Sequence, residues 1–365
     1  MGDNIGLDPW SSAEIKESDY GHLFREFGIK HFKNDEFPID HYLFKRGIII
    51  AHRDFDKIFD RIEKGGDFIN MTAVASSGKL HLGHKAAIDL FKVFKQHGAK
   101  NYFGIADIDG YTSRPDIKVG SMVQAKQFGL DNLTDALALG LSPKDVYVQS
   151  NYLPRYYELT FELSKRITEN TYRAIYGSLD LGKVSAVILQ MADILHGQLP
   201  EFEGRMPSIT PIGLEQDPHM RLARDLAHKL PYNLFAPSSI YVQHQGGLKE
   251  GGKMSSSDPY SAIFLSDEPE VVDKKVKKAV TGGRDTEAEQ RKLGGRAEIC
   301  NVYHLAKFHV EDDEFVKDIF EKCKSGQRLC GECKQLNADK LVQIITKHHK
   351  QRKKVEGKAR EIMGL

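Results

Sequence analysis

The sequence predicts an α/β protein in which a doubly wound parallel sheet with a helical insertion precedes an α-helical C-terminal domain. Three observations support this prediction. Short apolar runs alternate with amphipathic segments from residue 68, the pattern becomes almost wholly helical after residue 268, and 365 residues suffice for two globular domains. The predicted parts are an N-terminal extension at 1–66, a sheet domain at 67–267 and a helical domain at 268–365.

Four buried strands form the predicted sheet, at 68–74, 101–106, 146–149 and 208–214. Between the first two strands, Ala87, Leu90, Phe91 and Phe94 share one face of a predicted helix. Strands that alternate with helices of this length favour parallel pairing. Residues 150–200 are mostly helical in pattern, which indicates an insertion over the sheet. Further helices are predicted at 13–27, 55–63, 270–280, 314–323 and 337–349.

Composition excludes several classes of protein. With 40% hydrophobic and 28% charged residues the chain is globular, and no run approaches the roughly 18 apolar residues that cross a membrane. Residues 1–10 lack the basic flank and apolar run of a signal peptide, and four cysteines are too few for a disulfide scaffold. We therefore expect a cytoplasmic protein without a membrane partner.

The strongest single motif is His-Leu-Gly-His at residues 81–84, between the first predicted strand and its helix. Helix N-termini at the carboxyl ends of parallel strands point free N–H groups at anions. His81 and His84 could both hydrogen-bond the α-phosphate of a nucleotide, and Gly83 would let an adenine ring approach the backbone. The alternative is that two histidines at a helix start are surface residues placed by chance.

A second motif, Gly-Gly-Lys-Met-Ser-Ser-Ser at residues 251–257, follows 170 residues later. The glycines favour a loop, Lys253 supplies a point charge, and three serine hydroxyls supply donors, which suits binding of the β- and γ-phosphates of ATP. Taken alone, such a stretch is more often a solvated linker. The two motifs in this order are far more specific than either one.

Together these motifs resemble the two signatures of class I aminoacyl-tRNA synthetases, and their surroundings resemble the tryptophanyl-tRNA synthetases of archaeal and eukaryotic type. The resemblance spans nearly the whole chain in order. Its other segments lie at 8–10, 44–54, 190–195, 213–225, 258–265 and 281–295.

The resemblance implies a Rossmann-like catalytic domain and a two-step reaction. Tryptophan attacks the α-phosphate of Mg·ATP to give tryptophanyl-adenylate and pyrophosphate, and the terminal ribose of tRNA(Trp) then takes the aminoacyl group. It places His81 and His84 at the α-phosphate and Lys253, Ser255 and Ser257 at the leaving pyrophosphate. The family motif often has a second lysine at position 256, so Lys253 is expected to carry more of the charge here. The resemblance assigns the remaining ATP contacts to Gly83, Gly213, Asp217, Met254 and Ser256.

The resemblance also implies a tryptophan site. Gln190 and Gln216 match positions that contact the amino and carboxylate groups, and Asp109 stands where relatives carry a glutamate. Met71 stands where eukaryotic relatives place a tyrosine facing the indole, and Gly104 where they place a glutamine, so recognition of the indole N–H stays open. For Asp217 and the neighbouring Glu215, capping of the helix at 220–230 is an equally weighted alternative to ligand binding.

The C-terminal domain carries two further features. Cys300, Cys323, Cys330 and Cys333 include only one Cys-x-x-Cys pair, so we expect thiols and no metal site. Residues 340–365 hold eight Lys and Arg against two acids, so the net charge of +1 combines a tail of +6 with an acidic remainder of −5. We favour phosphate contact with tRNA over a solvated helix face for this tail. The resemblance places anticodon recognition in this domain and implies a homodimer.

Three rival functions share parts of this pattern. A tyrosyl-tRNA synthetase has the same motifs but needs a polar pocket for a phenol hydroxyl. A non-ligating paralogue that binds RNA or a nucleotide is disfavoured by the intact His81, His84 and Lys253. A small nucleotidylyltransferase shares the His-x-Gly-His fold, but the long helical C-terminus does not suit it.

Overall fold

The structure is a computed structural model that describes residues 7, 9, 17–249, 252, 254–256 and 258–365. Within these residues one sheet of seven strands lies among fifteen α-helices. The strands are β1 Lys30–His31, β2 Ile49–Arg53, β3 Phe68–Ala75, β4 Ala99–Ala106, β5 Val146–Val148, β6 Ser208–Gly213 and β7 Ser238–Val242. The helices are α1 Glu17–Phe27, α2 Tyr42–Lys45, α3 Phe55–Lys64, α4 Leu82–Gln96, α5 Asp107–Thr112, α6 Met122–Ala138, α7 Pro154–Ser164, α8 Glu169–Tyr176, α9 Leu181–Leu195, α10 Asp217–Lys229, α11 Pro269–Lys278, α12 Glu287–Leu293, α13 Asn301–His309, α14 Asp313–Lys324 and α15 Cys330–Met363.

The strand order is β1-β2-β7-β6-β3-β4-β5. The five strands from β7 to β5 are parallel and form the doubly wound core that the sequence predicted. β2 and β1 extend the sheet antiparallel beyond β7, so the complete sheet is mixed. All four predicted strands are present, whereas β1, β2 and β7 were not predicted. The boundary proposed at residue 66 stays a prediction, and the segment before it supplies two of the seven strands.

The helical insertion predicted at 150–200 is confirmed as α7, α8 and α9. Their apolar faces pack onto the sheet in one cluster, in which Tyr156, Leu159 and Met191 lie with Met71 of β3. α9 contacts β3, and its Gln190 lines the same cavity as the start of α4.

The C-terminal helices do not pack only against one another. α15 is 34 residues long, much longer than the predicted 337–349, and packs against α6 and α11. One apolar cluster joins Leu341 and Ile345 of α15 to Leu133 of α6 and Leu82 of α4. This cluster connects the helical segment directly to the region behind the predicted nucleotide site. In the described part of the chain, no helix is long and apolar enough to cross a membrane.

Candidate active site

A cleft of about 580 Å³ opens at the carboxyl ends of β3 and β6, beside the start of α4. This is the position at which open parallel α/β sheets bind ligands. Ten of the predicted site residues line it, namely Met71, His81, Gly83, His84, Gln190, Gly213, Gln216, Met254, Ser255 and Ser256. Asp109 and Asp217 do not line it, and Lys253 and Ser257 lie outside the described residues.

The two histidines form a reciprocal cap on α4. The Gly83 N–H donates to Nδ1 of His81 at 3.1 Å, and the His81 N–H donates to Nδ1 of His84 at 3.1 Å. Because both Nδ1 atoms accept, each neutral imidazole carries its proton on Nε2. The ring centroids are 4.0 Å apart. The cap thus gives both histidines the same tautomer and turns both into hydrogen-bond donors through Nε2–H.

His84 is a neutral donor rather than a cation. Although part of the ring is open to the cleft, the protein packed around it lowers the pKa of His84 to about 4, and the negative charge of Asp135 opposes that shift. At neutral pH the ring therefore offers an N–H without a full positive charge. Such a group stabilises a phosphate oxygen by a directed hydrogen bond, which strengthens as charge builds on the oxygen.

Gly83 leaves room for the imidazole that caps α4. A Cβ at this position would lie 3.0 Å from Nδ1 and Cε1 of His81, closer than side-chain carbons normally approach. Any larger residue would displace the imidazole that caps α4. The sequence argument explained Gly83 only by room for adenine, so the structure adds a second reason.

The serine loop lies against the histidine motif. The Leu82 N–H donates to the carbonyl of Ile263 at 2.9 Å, and the Leu265 N–H donates to the carbonyl of Leu80 at 3.0 Å. Ser256 Oγ donates to the Lys79 carbonyl at 3.0 Å. These bonds join the region of the histidine motif to the serine loop and to the segment that follows the loop, about 170 residues later in the sequence. Ser255 and Ser256 line the cleft.

Comparison with known proteins agrees with this geometry. The family model of the class I tRNA synthetases (W and Y) matches residues 63–346. The chain belongs to this family. A tryptophan–tRNA ligase of Aeropyrum pernix is 41% identical over 96% of this chain and 95% of its own length. The corresponding enzyme of Methanocaldococcus jannaschii is 38% identical over 93% of both chains. The crystal structure of the tryptophanyl-tRNA synthetase from Aeropyrum pernix superposes with a TM-score of 0.88 at 39% identity, covering 98% of each chain.

In this synthetase the residues that the sequence predicts to bind tryptophan divide into two groups. Met71, Gln190 and Gln216 line the cleft, and Gln216 Nε2 donates to the Pro9 carbonyl at 3.0 Å. Asp109 lies behind the cleft in α5, where its backbone N–H donates to Gln149 Oε1 at 3.0 Å. Burial raises the pKa of the Asp109 carboxyl.

Asp217 connects the start of α10 to β2 and β7 beside the cleft. It is completely buried and accepts hydrogen bonds from Arg53 Nε at 2.8 Å and from the Tyr241 hydroxyl, with Arg221 Nε at 3.2 Å. It is the first residue of α10, and no side chain caps that helix, so the capping alternative is not found for Asp217. The other acid, Glu215, lines the cleft and pairs with His244.

The space beside Gly104 is filled by a tyrosine. A Cβ on Gly104 would lie 2.7 Å from the Tyr147 hydroxyl oxygen, so this hydroxyl occupies the volume that a larger residue would need. The Tyr147 and Tyr156 hydroxyls donate to Asp193 at 2.6 and 2.7 Å, and Gln149 Nε2 donates at 2.8 Å. Burial raises the pKa of Asp193 to about 6, against the lowering effect of these hydrogen bonds. Sequence reasoning missed this group because Tyr147 and Asp193 lie on different elements.

Two cations in the cleft were also missed. Arg114 and Lys118, in the segment between α5 and α6, line the same cavity as the two histidines. Burial lowers the pKa of Lys118, and the charge of Arg114 lowers it further. In the sequence they lie in a loop with no motif around them, so only the three-dimensional arrangement reveals them.

The cysteines are neighbours in the C-terminal helices. Cys300 lies just before α13, whereas Cys323 is in α14 and Cys330 and Cys333 are in α15. Burial, together with the three other thiols, raises the pKa of Cys333 to about 12. In the described part of the chain, no group of three or more His, Cys, Asp or Glu side chains is arranged to hold a metal ion.

Proposed function

We propose that this chain attaches tryptophan to tRNA(Trp) through a tryptophanyl-adenylate, with release of pyrophosphate and AMP. One observation carries the proposal: the histidine motif and the serine loop form one wall of a cleft that also holds Met71, Gln190 and Gln216. The full-length relatives described above are named for tryptophan, which favours this activity over a tyrosyl enzyme or a non-ligating paralogue.

In the first step, a carboxylate oxygen of tryptophan attacks the α-phosphorus of ATP, and the bond to the oxygen bridging the α- and β-phosphates breaks. Magnesium enters with ATP as part of the substrate. His81 and His84 donate their Nε2–H groups to the α-phosphate oxygens, on which charge increases in the transition state. Lys253, Ser255 and Ser257 bind the leaving pyrophosphate, and Arg114 and Lys118 add positive charge to the cleft.

In the second step, a hydroxyl of the terminal ribose of the tRNA attacks the carbonyl carbon of the adenylate, and AMP leaves. Both steps depend mainly on positioning and charge stabilisation. Gly83, Gly213, Met254 and Ser256 bind the nucleotide, and Gln190 and Gln216 bind the amino and carboxylate groups of tryptophan. The positions of Asp109 and Asp217 favour support of the surrounding elements over direct contact with substrate.

Charging of defined tRNA transcripts tests the proposal. The protein is incubated with ATP, tryptophan and a CCA-ended tRNA(Trp) transcript, and protection of the 3′ ribose from periodate is measured. A tRNA(Tyr) transcript with tyrosine serves as the control. Charging of tRNA(Trp) alone supports the proposal, and charging of tRNA(Tyr) alone, or of neither transcript, contradicts it.

One face of α15 is proposed as the tRNA contact within the helical domain at 268–365. Lys347, Lys350, Lys354 and Lys358 are exposed and recur at helical spacing, so they share a face about 16 Å long. Arg352 points elsewhere, to Asp131 and Asp135 of α6, so not every cation of the tail serves this surface. The lysine face presents a row of charges to a phosphate backbone.

Salt dependence tests this contact. Replacing Lys347, Lys350 and Lys354 by Ala should reduce the slope of log Kd against log salt for tRNA(Trp) by about 2 to 3. The exposed Lys64 of α3, replaced by Ala, is the matched control and should leave the slope unchanged. An unchanged slope in the triple variant would place the tRNA elsewhere.

We also propose a cytoplasmic homodimer. Large apolar side chains are exposed on the monomer, including Ile117, Val123, Phe161 and Leu181, and a second copy could cover such a surface. Light scattering coupled to gel filtration at micromolar concentration should give twice the mass of the chain. A monomer mass would contradict the dimer without affecting the proposed reaction.

A further inference from the structure

A buried ionic cluster joins α15 to α6. Arg352 donates to Asp131 through Nη2 and to Asp135 through Nη1, and His348 Nε2 lies 2.9 Å from Oδ1 of Asp135. Asp135 is 1% exposed and His348 4%. Removing one partner from such a cluster leaves a buried charge without compensation, so the cluster fixes α15 on α6.

The ionic cluster and the histidine motif are joined by the apolar packing that α4, α6 and α15 share. The charge of Asp135 acts on His84 and opposes the effect of burial on its pKa. The second carboxylate oxygen, Oδ2, is buried and has no hydrogen-bond partner among the described residues. Leu133 and Leu137, which flank Asp135 on α6, share one apolar cluster with Leu82 of α4.

α15 makes two more contacts with the walls of the cleft. His349 Nε2 lies 3.0 Å from the carbonyl oxygen of Leu265, whose own N–H donates to Leu80 just before the histidine motif. At the end of α15, the Met363 methyl carbon and the Ser76 hydroxyl both lie against Gly129, at 3.1 and 3.2 Å from the position that a Cβ on this glycine would take. The helix therefore supports the strand end, the histidine motif and the segment after the serine loop from one side.

We propose that Asp135, held in place by Arg352 and His348, is a positioning residue that orients His84 for adenylate formation. The proposal rests on the proposed function, because it assigns His84 to the α-phosphate. Asp135 does not touch the substrate. It acts through packing. The pairing fixes α15 on α6, His349 of α15 lies against the Leu265 carbonyl, and the Leu265 N–H donates to Leu80 just before the histidine motif.

The same arrangement gives the two faces of α15 different roles. The lysine face at 347, 350, 354 and 358 points away from the ionic cluster, whereas His348, Arg352 and Ala359 face the body of the protein. A displacement of α15 along or about its axis would therefore move the partners of Asp135. The helix is a physical connection between the surface proposed for tRNA and the catalytic histidine.

Four variants test the positioning role. Arg352→Met and Asp135→Asn remove the charge pairing at nearly constant volume, and Arg352→Lys restores a charge without the two-pronged geometry. Lys353→Met, at the exposed neighbouring position, is the matched control. Each full-length variant is assayed for tryptophan-dependent pyrophosphate exchange, with kcat and KM determined separately and active sites counted by the burst of adenylate formation.

We expect Arg352→Met and Asp135→Asn to lower kcat per active site about tenfold or more, with KM for tryptophan within about twofold of wild type. Arg352→Lys should recover part of kcat, and Lys353→Met should match wild type. Unchanged kcat per active site, with only a lower melting temperature, would show that the cluster is a structural contact alone. If Arg352→Met and Asp135→Asn do not fold, Arg352→Lys is compared with wild type. A lower kcat per active site in Arg352→Lys then supports the positioning role, and an unchanged kcat overturns it. Absence of exchange in the wild type would instead refute the proposed function.

Discussion

Substitution of His84 by Ala separates the catalytic role proposed for this side chain from its structural role in the helix cap. The ring accepts the His81 N–H at 3.1 Å and carries its proton on Nε2, so the substitution removes a helix-cap acceptor and a phosphate donor together. Loss of the cap costs about 0.5–2 kcal/mol of stability. Loss of a donor aimed at developing charge costs about 10²–10³ in rate.

The two effects are measured by different assays. Urea denaturation reports the cap, and tryptophan-dependent pyrophosphate exchange, corrected for active sites, reports the donor. His84→Gln supplies both an amide oxygen for the cap and an amide N–H toward the cleft, so we expect it to recover part of each loss. The exposed His228, replaced by Ala, is the control. An exchange rate for His84→Ala within about threefold of wild type would refute the assignment of this ring to the α-phosphate.

Three further predictions concern other parts of the chain. Lys253→Ala should lower pyrophosphate exchange by at least about 10²-fold, because Lys253 is the one lysine of the serine loop and is expected to carry most of the charge at the pyrophosphate; a rate near wild type would contradict this. Gly104→Ala should lower the free energy of unfolding in urea by about 1–3 kcal/mol, since its Cβ would lie 2.7 Å from the Tyr147 hydroxyl; an unchanged midpoint would show that the strand absorbs the methyl group. Burial lowers the pKa of His196 to about 4 and that of His219 to about 3, below the ordinary 6.5 of the unfolded chain. The unfolded state therefore binds more protons below pH 6.5, and the free energy of unfolding in urea should fall from pH 7 to pH 5 by about 2 kcal/mol per histidine; a constant or rising free energy would contradict this.

The sequence predicted the parts of the fold that depend on local pattern. The strands β3, β4, β5 and β6 are apolar runs beside clear turns, and each was found. β7 begins with two serines and is only five residues long, and β2 pairs antiparallel outside the alternating pattern, so neither gives a strong signal. The length of α15 was underestimated because its second half carries many lysines and few apolar residues.

The site was predictable where neighbouring residues act together. His81, Gly83 and His84 lie within one helical turn, and their types alone indicate phosphate binding. Arg114 and Lys118 carry no comparable local signal and are brought to the cleft only by folding.

Long-range pairs were beyond sequence reasoning. The Tyr147–Asp193 pair and the Arg352–Asp135 pair join residues 46 and 217 positions apart. Asp109 matched a binding position in the resemblance, but a full turn of α5 folds at the end of β4 and places it behind the cleft. Such placements depend on how the helices pack, which periodicity does not determine.

The most direct test of the central claim is pyrophosphate exchange with each of the twenty amino acids at saturating Mg·ATP. The histidine motif and the serine loop line one cleft with Met71, Gln190 and Gln216, and we predict rapid exchange with tryptophan alone. Exchange with tyrosine in place of tryptophan, or with no amino acid, would contradict the account.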